Sequence, residues 1–217
     1  MDRLENLPSY RYPVEDLIKE LSEPPPPGAC AAASWLCAIA AALVTKAARL
    51  TLGREGFEPV SEEMLRVVSR ASTLGEQCEE LIDQDPTAMN RLAAAAALPQ
   101  TTVEEAEIRR ACVQSALKNA SQVPMLVAQH GMEVLGLAET VARYGAPGGA
   151  NEAMLAVRTA ASAVEGALLA ALSKLPNLED EAFAAETREK ARTLREQAAA
   201  IETDLSNRAW DKLLAGE

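Results

Sequence analysis

From Pro24 to Thr45 the chain carries no charged residue, and the first charges after that stretch are Lys46 and Arg49. A helix that is apolar on every side has to be covered on every side, so residues 29–52 predict a helix packed among other helices or against a second subunit. It stops at Gly53, with Lys46, Arg49 and Arg54 near the end where the helix dipole favours cations. The pattern then becomes one-sided. Met64, Val67, Val68, Ala71, Leu74, Cys78, Leu81 and Ile82 recur at helical spacing behind Ser61, a residue suited to capping. At Asp83-Gln84-Asp85-Pro86 the proline lacks an amide hydrogen and disfavours helical geometry at Asp85, which predicts a kink or break.

Two overlapping capping boxes, Thr101 with Glu104 and Thr102 with Glu105, predict a helix that ends near Val123-Pro124, with a second segment over 125–144. Gly145 to Gly149 reads as a loop, and a second alanine-rich helix follows over 151–172 with Arg158 and Glu165 on one face. The final helix, 179–214, carries Ala191, Leu194, Ala198, Ile201 and Leu205 at alternating spacings of three and four, the seam of a helix laid along a partner. Upstream, Pro13 opens a short helix through Leu21, and Pro24 to Pro27 form a rigid spacer. No window alternates β-branched and polar residues over strand length. These signals predict an all-α, single-domain antiparallel helical bundle over 1–217, with long kinked helices.

Composition narrows the chemistry. With 217 residues and 48% hydrophobic content the chain can bury a sizeable core, yet only 3% is aromatic, so alanine supplies much of that core and the helices must approach closely. Lys and Arg total 21 against 32 Asp and Glu, a net charge of −11 that repels phosphate backbones, and no nucleic-acid partner is expected. The four cysteines form no C-x-x-C pair and His130 is the only histidine, so no metal site is expected and reduced thiols fit a cytoplasmic setting. The first twelve residues are polar with both charge signs, unlike a signal peptide, and the prolines and alanines of the uncharged stretch argue against a membrane span. His130 reads as a packed or surface residue, Cys30 and Cys37 as small apolar filler, with Cys30 the one thiol worth testing, and Trp35 and Tyr144 as core or loop anchors.

Six short motifs then occur in order. Pro27 to Gly53 begins P-G-A-C-A and closes R-L-T-L-G; Leu81 to Asn90 reads L-I-D-Q-D-P-T-A-M-N; Leu98-Pro99 precedes an acidic helix start; Val123-Pro124, Gly149 to Ala153 and Leu178 to Phe183 complete the set. Together they resemble the formiminotetrahydrofolate cyclodeaminase/methenyltetrahydrofolate cyclohydrolase family, whose patterns at these places are P-G-G-G-S, N-L-T-L/I-G, I-x-x-D-x-x-A-F, L-P-K, V-P, V-S-D-A and L-x-D-x-x-F. The resemblance covers about 14–205.

That resemblance implies a helical, usually dimeric protein that takes a tetrahydrofolate with a one-carbon bridge as substrate, with no tightly bound cofactor. It places Asp85 and Glu152 as catalytic carboxylates near a cationic, amidine-like carbon, and Gly28, Ala29, Cys30, Ala31, Lys46 and Arg49 around the substrate. Local sequence offers Asp85 a second role as a helix cap after the break. The departures are equally specific: Ala29, Cys30 and Ala31 replace glycines and a serine, Arg49 replaces asparagine, Ala96 and Ala97 replace an aromatic and basic pair, and Glu152 replaces aspartate. Lys46 and Arg54 are candidates for an acidic folate tail. Three outcomes stay open: a folate enzyme with an altered site, a repurposed non-catalytic helical dimer whose cleft is filled by Cys30, Ala31, Ala96 and Ala97, or an enzyme of this fold acting on another small molecule.

Overall fold

The computed structural model describes residues 13–23 and 28–215; the proline spacer and the first twelve residues lie outside them. The order is α1 (Val14–Leu21), α2 (Ala29–Thr51), α3 (Ser61–Ile82), α4 (Gln84–Ala96), α5 (Val103–Tyr144), α6 (Ala150–Leu172) and α7 (Glu181–Ala215), and no strand occurs among the described residues. The all-α expectation holds.

Helix α2 is the central element, packed against α3, α5 and α6. Its buried side is small: Cys30, Ala33, Cys37, Ala40, Ala41, Val44, Ala47 and Ala48 recur on one helical face. Small side chains let backbones come close, and the contacts give the directions. Cys37 meets Cys78, whose thiol sulfur lies 2.9 Å away, while a Cβ on Gly75 would lie 3.6 Å from that of Ala41. Numbers rise on α2 as they fall on α3, so the two run antiparallel. Ala33 opposite Gly166 and Ala47 opposite Gly149 make α6 antiparallel to α2 in the same way. Ion pairs Arg158–Glu202 and Glu165–Arg195 lay α7 antiparallel on α6.

The uncharged helix is only partly hidden within the chain. About half of its most apolar window is buried, and Leu36 and Ile39 remain exposed. By length and composition α2 and the segment Pro147–Asn177 could each cross a membrane. In this fold, their buried halves form the core between α3, α5 and α7.

Several sequence expectations change. Helix α5 is one element of 42 residues, not two, with Pro124 buried inside it. The side chains flanking Pro124, among them Met125, Val127 and Ala128, are buried in the core, and that packing carries the helix through a missing amide. Only one capping box forms: Thr102 Oγ1 accepts from the Glu105 amide, and the Glu105 carboxylate accepts from the amides of both Thr102 and Thr101. Ser61 is the first residue of α3 rather than its cap, since the turn Glu58–Val60 runs straight into the helix and the hydroxyl donates back to Phe57 O. Asp180, ahead of α7, caps it by accepting from the Phe183 amide at 2.9 Å. Tyr144 is exposed and anchors nothing, whereas Trp35 is half-buried.

Candidate functional site

The break between α3 and α4 falls at Asp83, and Pro86 occupies the third position of α4, where its missing amide hydrogen costs no helical bond. This sets Asp85 on the second residue of α4 and turns it inward. It is 7% exposed, among the few buried ionisable side chains of the described protein. No side chain caps α4, so the capping role that local sequence offered Asp85 is not the one it plays. The Cys30 thiol and the Lys174 ammonium are the neighbours that act on it electrostatically. Burial pushes the Asp85 carboxyl above the ordinary carboxylate value, while the thiol and the lysine pull it back. Burial, followed by the neighbouring carboxylate, pushes the Cys30 thiol up, so it stays protonated.

Gly28 and Ala29 are exposed, whereas Cys30 and Ala31 are buried. The N-terminal end of α2 thus offers a rim of two small residues over a buried thiol–carboxylate pair. Ala96 and Ala97, expected to help fill a lost cleft, are both exposed at the far end of α4 and fill nothing. Lys174, in the turn between α6 and α7, was not singled out from the sequence. A single lysine before Leu175-Pro176 carries no local signal of its partner on a helix nearly ninety positions earlier.

The remaining candidates gather at the other end of α2. Lys46 Nζ pairs with Glu152 Oε1 at 2.7 Å, and Glu152 sits in the first turn of α6. The Lys46 ammonium, first through its hydrogen bond, holds the Glu152 carboxyl below the ordinary glutamate value. Lys46 follows Cys30 by sixteen residues on one straight run of helix, a separation of about 24 Å at 1.5 Å per residue. Within one chain, then, Glu152 does not join Asp85 at a single reacting centre, contrary to the expectation of a shared carboxylate site. A cavity of about 480 Å³ between α2 and α3 lies toward this second end, lined by Lys46, Arg49, Glu76 and Glu79 over Ala41 and Gly75. Asp85 does not line it.

Three of the motifs prove architectural. Thr51 Oγ1, buried at the last turn of α2, accepts from the Ala146 amide at 2.9 Å and donates to Ala47 O at 3.3 Å. Gly53 follows with φ of 72°, a left-handed turn that glycine allows at no steric cost. A Cβ on Gly149 would stand 3.0 Å from Ala47 O, so the missing side chain lets the loop before α6 sit tightly against the α2 backbone. In Leu178 to Phe183, Asp180 caps α7 and pairs with Lys118, whose ammonium also lies 4.6 Å from the Phe183 ring centre. His130 is half-buried with its Nδ1 unpartnered, and burial lowers its pKa; it belongs to neither end of α2.

Residues 13–193 match the family model described as formiminotransferase-cyclodeaminase. The chain is 32% identical over 180 residues to a methenyltetrahydrofolate cyclohydrolase of Methylorubrum extorquens, covering 83% of this chain and 86% of that protein. It is 27% identical over 187 residues to a formimidoyltransferase-cyclodeaminase of Sus scrofa, of which it spans 35%. A formiminotetrahydrofolate cyclodeaminase structure from Thermotoga maritima superposes with a TM-score of 0.81 at 23% identity, over 91% of this chain and 95% of that one, which establishes the shared fold.

Proposed function

Since the chain belongs to the formiminotransferase-cyclodeaminase family, we propose that it is a folate one-carbon enzyme that opens the methenyl bridge of a methenyltetrahydrofolate or expels ammonia from a formiminotetrahydrofolate. The observation that carries this reading is the buried Asp85 carboxyl, whose proton affinity burial raises above the ordinary carboxylate range. Both reactions pass through a cationic, amidine-like carbon. A carboxylate whose proton affinity is raised by burial can stabilise that cation, order a water for attack, or carry a proton between nitrogens. Such general acid–base help is worth roughly 10²- to 10⁴-fold in rate. Gly28 and Ala29, small and exposed, leave room for a flat ligand to approach the carboxylate.

The test is an activity and binding assay with methenyl- and formimino-tetrahydrofolate, following loss of the methenyl chromophore or release of ammonia. Turnover of either supports the assignment. A protein that binds neither compound at millimolar concentration sinks it and leaves the repurposed-dimer reading in its place.

The second copy is part of the same proposal. Leu36 and Ile39 of the uncharged helix and Leu155 and Leu169 of α6 are exposed apolar side chains on the two alanine-rich helices, and covering them calls for another subunit. Light scattering at micromolar concentration should report twice the chain mass, and a clean, soluble monomer would count against it.

A further inference from the structure

Cys37 of α2 and Cys78 of α3 are 41 positions apart, yet the Cys78 thiol donates to the Cys37 sulfur at 2.9 Å. Both are free thiols, both are fully buried, and among the described residues they are the one pair of thiols in contact. The backbones are close here too. One turn along the same antiparallel seam, a Cβ on Gly75 would lie 3.6 Å from that of Ala41. A disulfide uses a Cβ separation of about 3.5–4.5 Å, so the two helices already stand at the distance such a bond needs. We infer that Cys37 and Cys78 are a modification site, at which hydrogen peroxide oxidises the two thiols to a disulfide that pins α2 to α3.

One sulfur attacks a peroxide oxygen, breaking the O–O bond to give a sulfenic acid and a water. The second sulfur then displaces the sulfenic hydroxyl, which leaves as a second water, and the S–S bond forms. With the second thiol already in contact, the sulfenic acid is captured before it takes up more oxygen. The seam itself offers the way in: Ala38, Ala41 and Gly75, beside the pair or one turn from it, line the cavity between α2 and α3. Reaction is slow, because the hydrogen bond with Cys78, and then burial, pushes the Cys37 thiol up and the thiolate is the reactive form. Cys78 lies one turn before the break between α3 and α4, so the bond fastens to α2 the segment that leads to Asp85. The chemistry is the same whether or not the protein turns over folate.

The experiment incubates the full-length wild-type protein with hydrogen peroxide, alkylates it in denaturant before any reductant is added, and maps the digest by mass spectrometry. A linked Cys37–Cys78 peptide, released by dithiothreitol, is expected. The oxidised protein should also melt at a higher temperature than the reduced one, since the link shortens the loops open to the unfolded chain. Cys78→Ala should lose both the link and the shift, whereas Cys112→Ser, at the exposed thiol, should keep both. The wild-type map decides even where Cys78→Ala folds poorly. Cys37 and Cys78 still recovered as thiols after prolonged exposure, with Cys112 fully oxidised, would overturn the inference. So would sulfinic acid at either position, or a link from Cys37 to Cys30 in place of Cys78.

Discussion

Each end of α2 has a carboxylate from another helix beside it, Asp85 of α4 at one end and Glu152 of α6 at the other, and the two are perturbed in opposite directions. At the N-terminal end Asp85 is buried, meets a thiol, and holds its proton more tightly than an ordinary carboxyl. At the C-terminal end Glu152 meets an exposed ammonium and holds its proton less tightly. An ion pair in water needs only two long side chains within reach, and such pairs contribute little. A carboxyl whose proton affinity is raised by desolvation needs a fold around it, and groups perturbed that way concentrate where protons are moved. On the proposed function the α2 N-terminus is the chemical end, while at the C-terminal end the Lys46–Glu152 pair and the Thr51–Ala146 hydrogen bond tie α2 to α6 and the loop before it.

The largest expected effect separates the ends directly. Asp85→Asn, nearly isosteric, should cut folate turnover by roughly 10²- to 10⁴-fold, while Glu152→Gln costs far less; both are read from the methenyl chromophore. An Asp85→Asn protein with full turnover would remove Asp85 from the mechanism and dissolve the contrast.

The next effect tests the architectural end. Thr51→Val keeps the shape of the side chain but leaves the Ala146 amide without its acceptor in a buried place, which should cost about 1–3 kcal/mol in denaturant unfolding. Turnover per folded molecule should change little beside that of Asp85→Asn. Unchanged stability would show that Thr51 does not anchor the loop.

The smallest effect returns to Asp85 as a matter of stability. Its folded-state carboxyl binds a proton more tightly than the unfolded chain does, so its stabilising contribution is complete below the unfolded carboxylate pKa and is lost as pH rises through the folded value. Asp85→Asn does not titrate. Its melting temperature, relative to wild type, should therefore rise as pH is raised through the carboxylate range. A gap that stays flat with pH would mean burial does not penalise the charge.

The helices were legible because their signals are local. The stripe from Met64 to Ile82, the seam from Ala191 to Leu205 and the Thr102–Glu105 box each lie within a few turns, and all formed. Pro124 misled for the complementary reason. A missing amide is a local penalty, and tertiary burial of the surrounding turns outweighs it.

The sequence by itself determined an all-α chain and an uncharged helix that other helices or a second subunit had to cover, and it marked Asp85 as a candidate through its family pattern. Only the tertiary structure decided what each candidate does. Lys46 and Glu152 are more than a hundred positions apart and form a pair, while Asp85 and Glu152, expected together, stand at opposite ends of α2. Cys30 and Lys174 act on the Asp85 carboxyl only because the fold brings other elements near it. The reason is physical. Helix formation follows from periodicity and caps within a few turns, whereas the proton affinity of a carboxylate depends on desolvation and on charges brought beside it by elements distant in sequence.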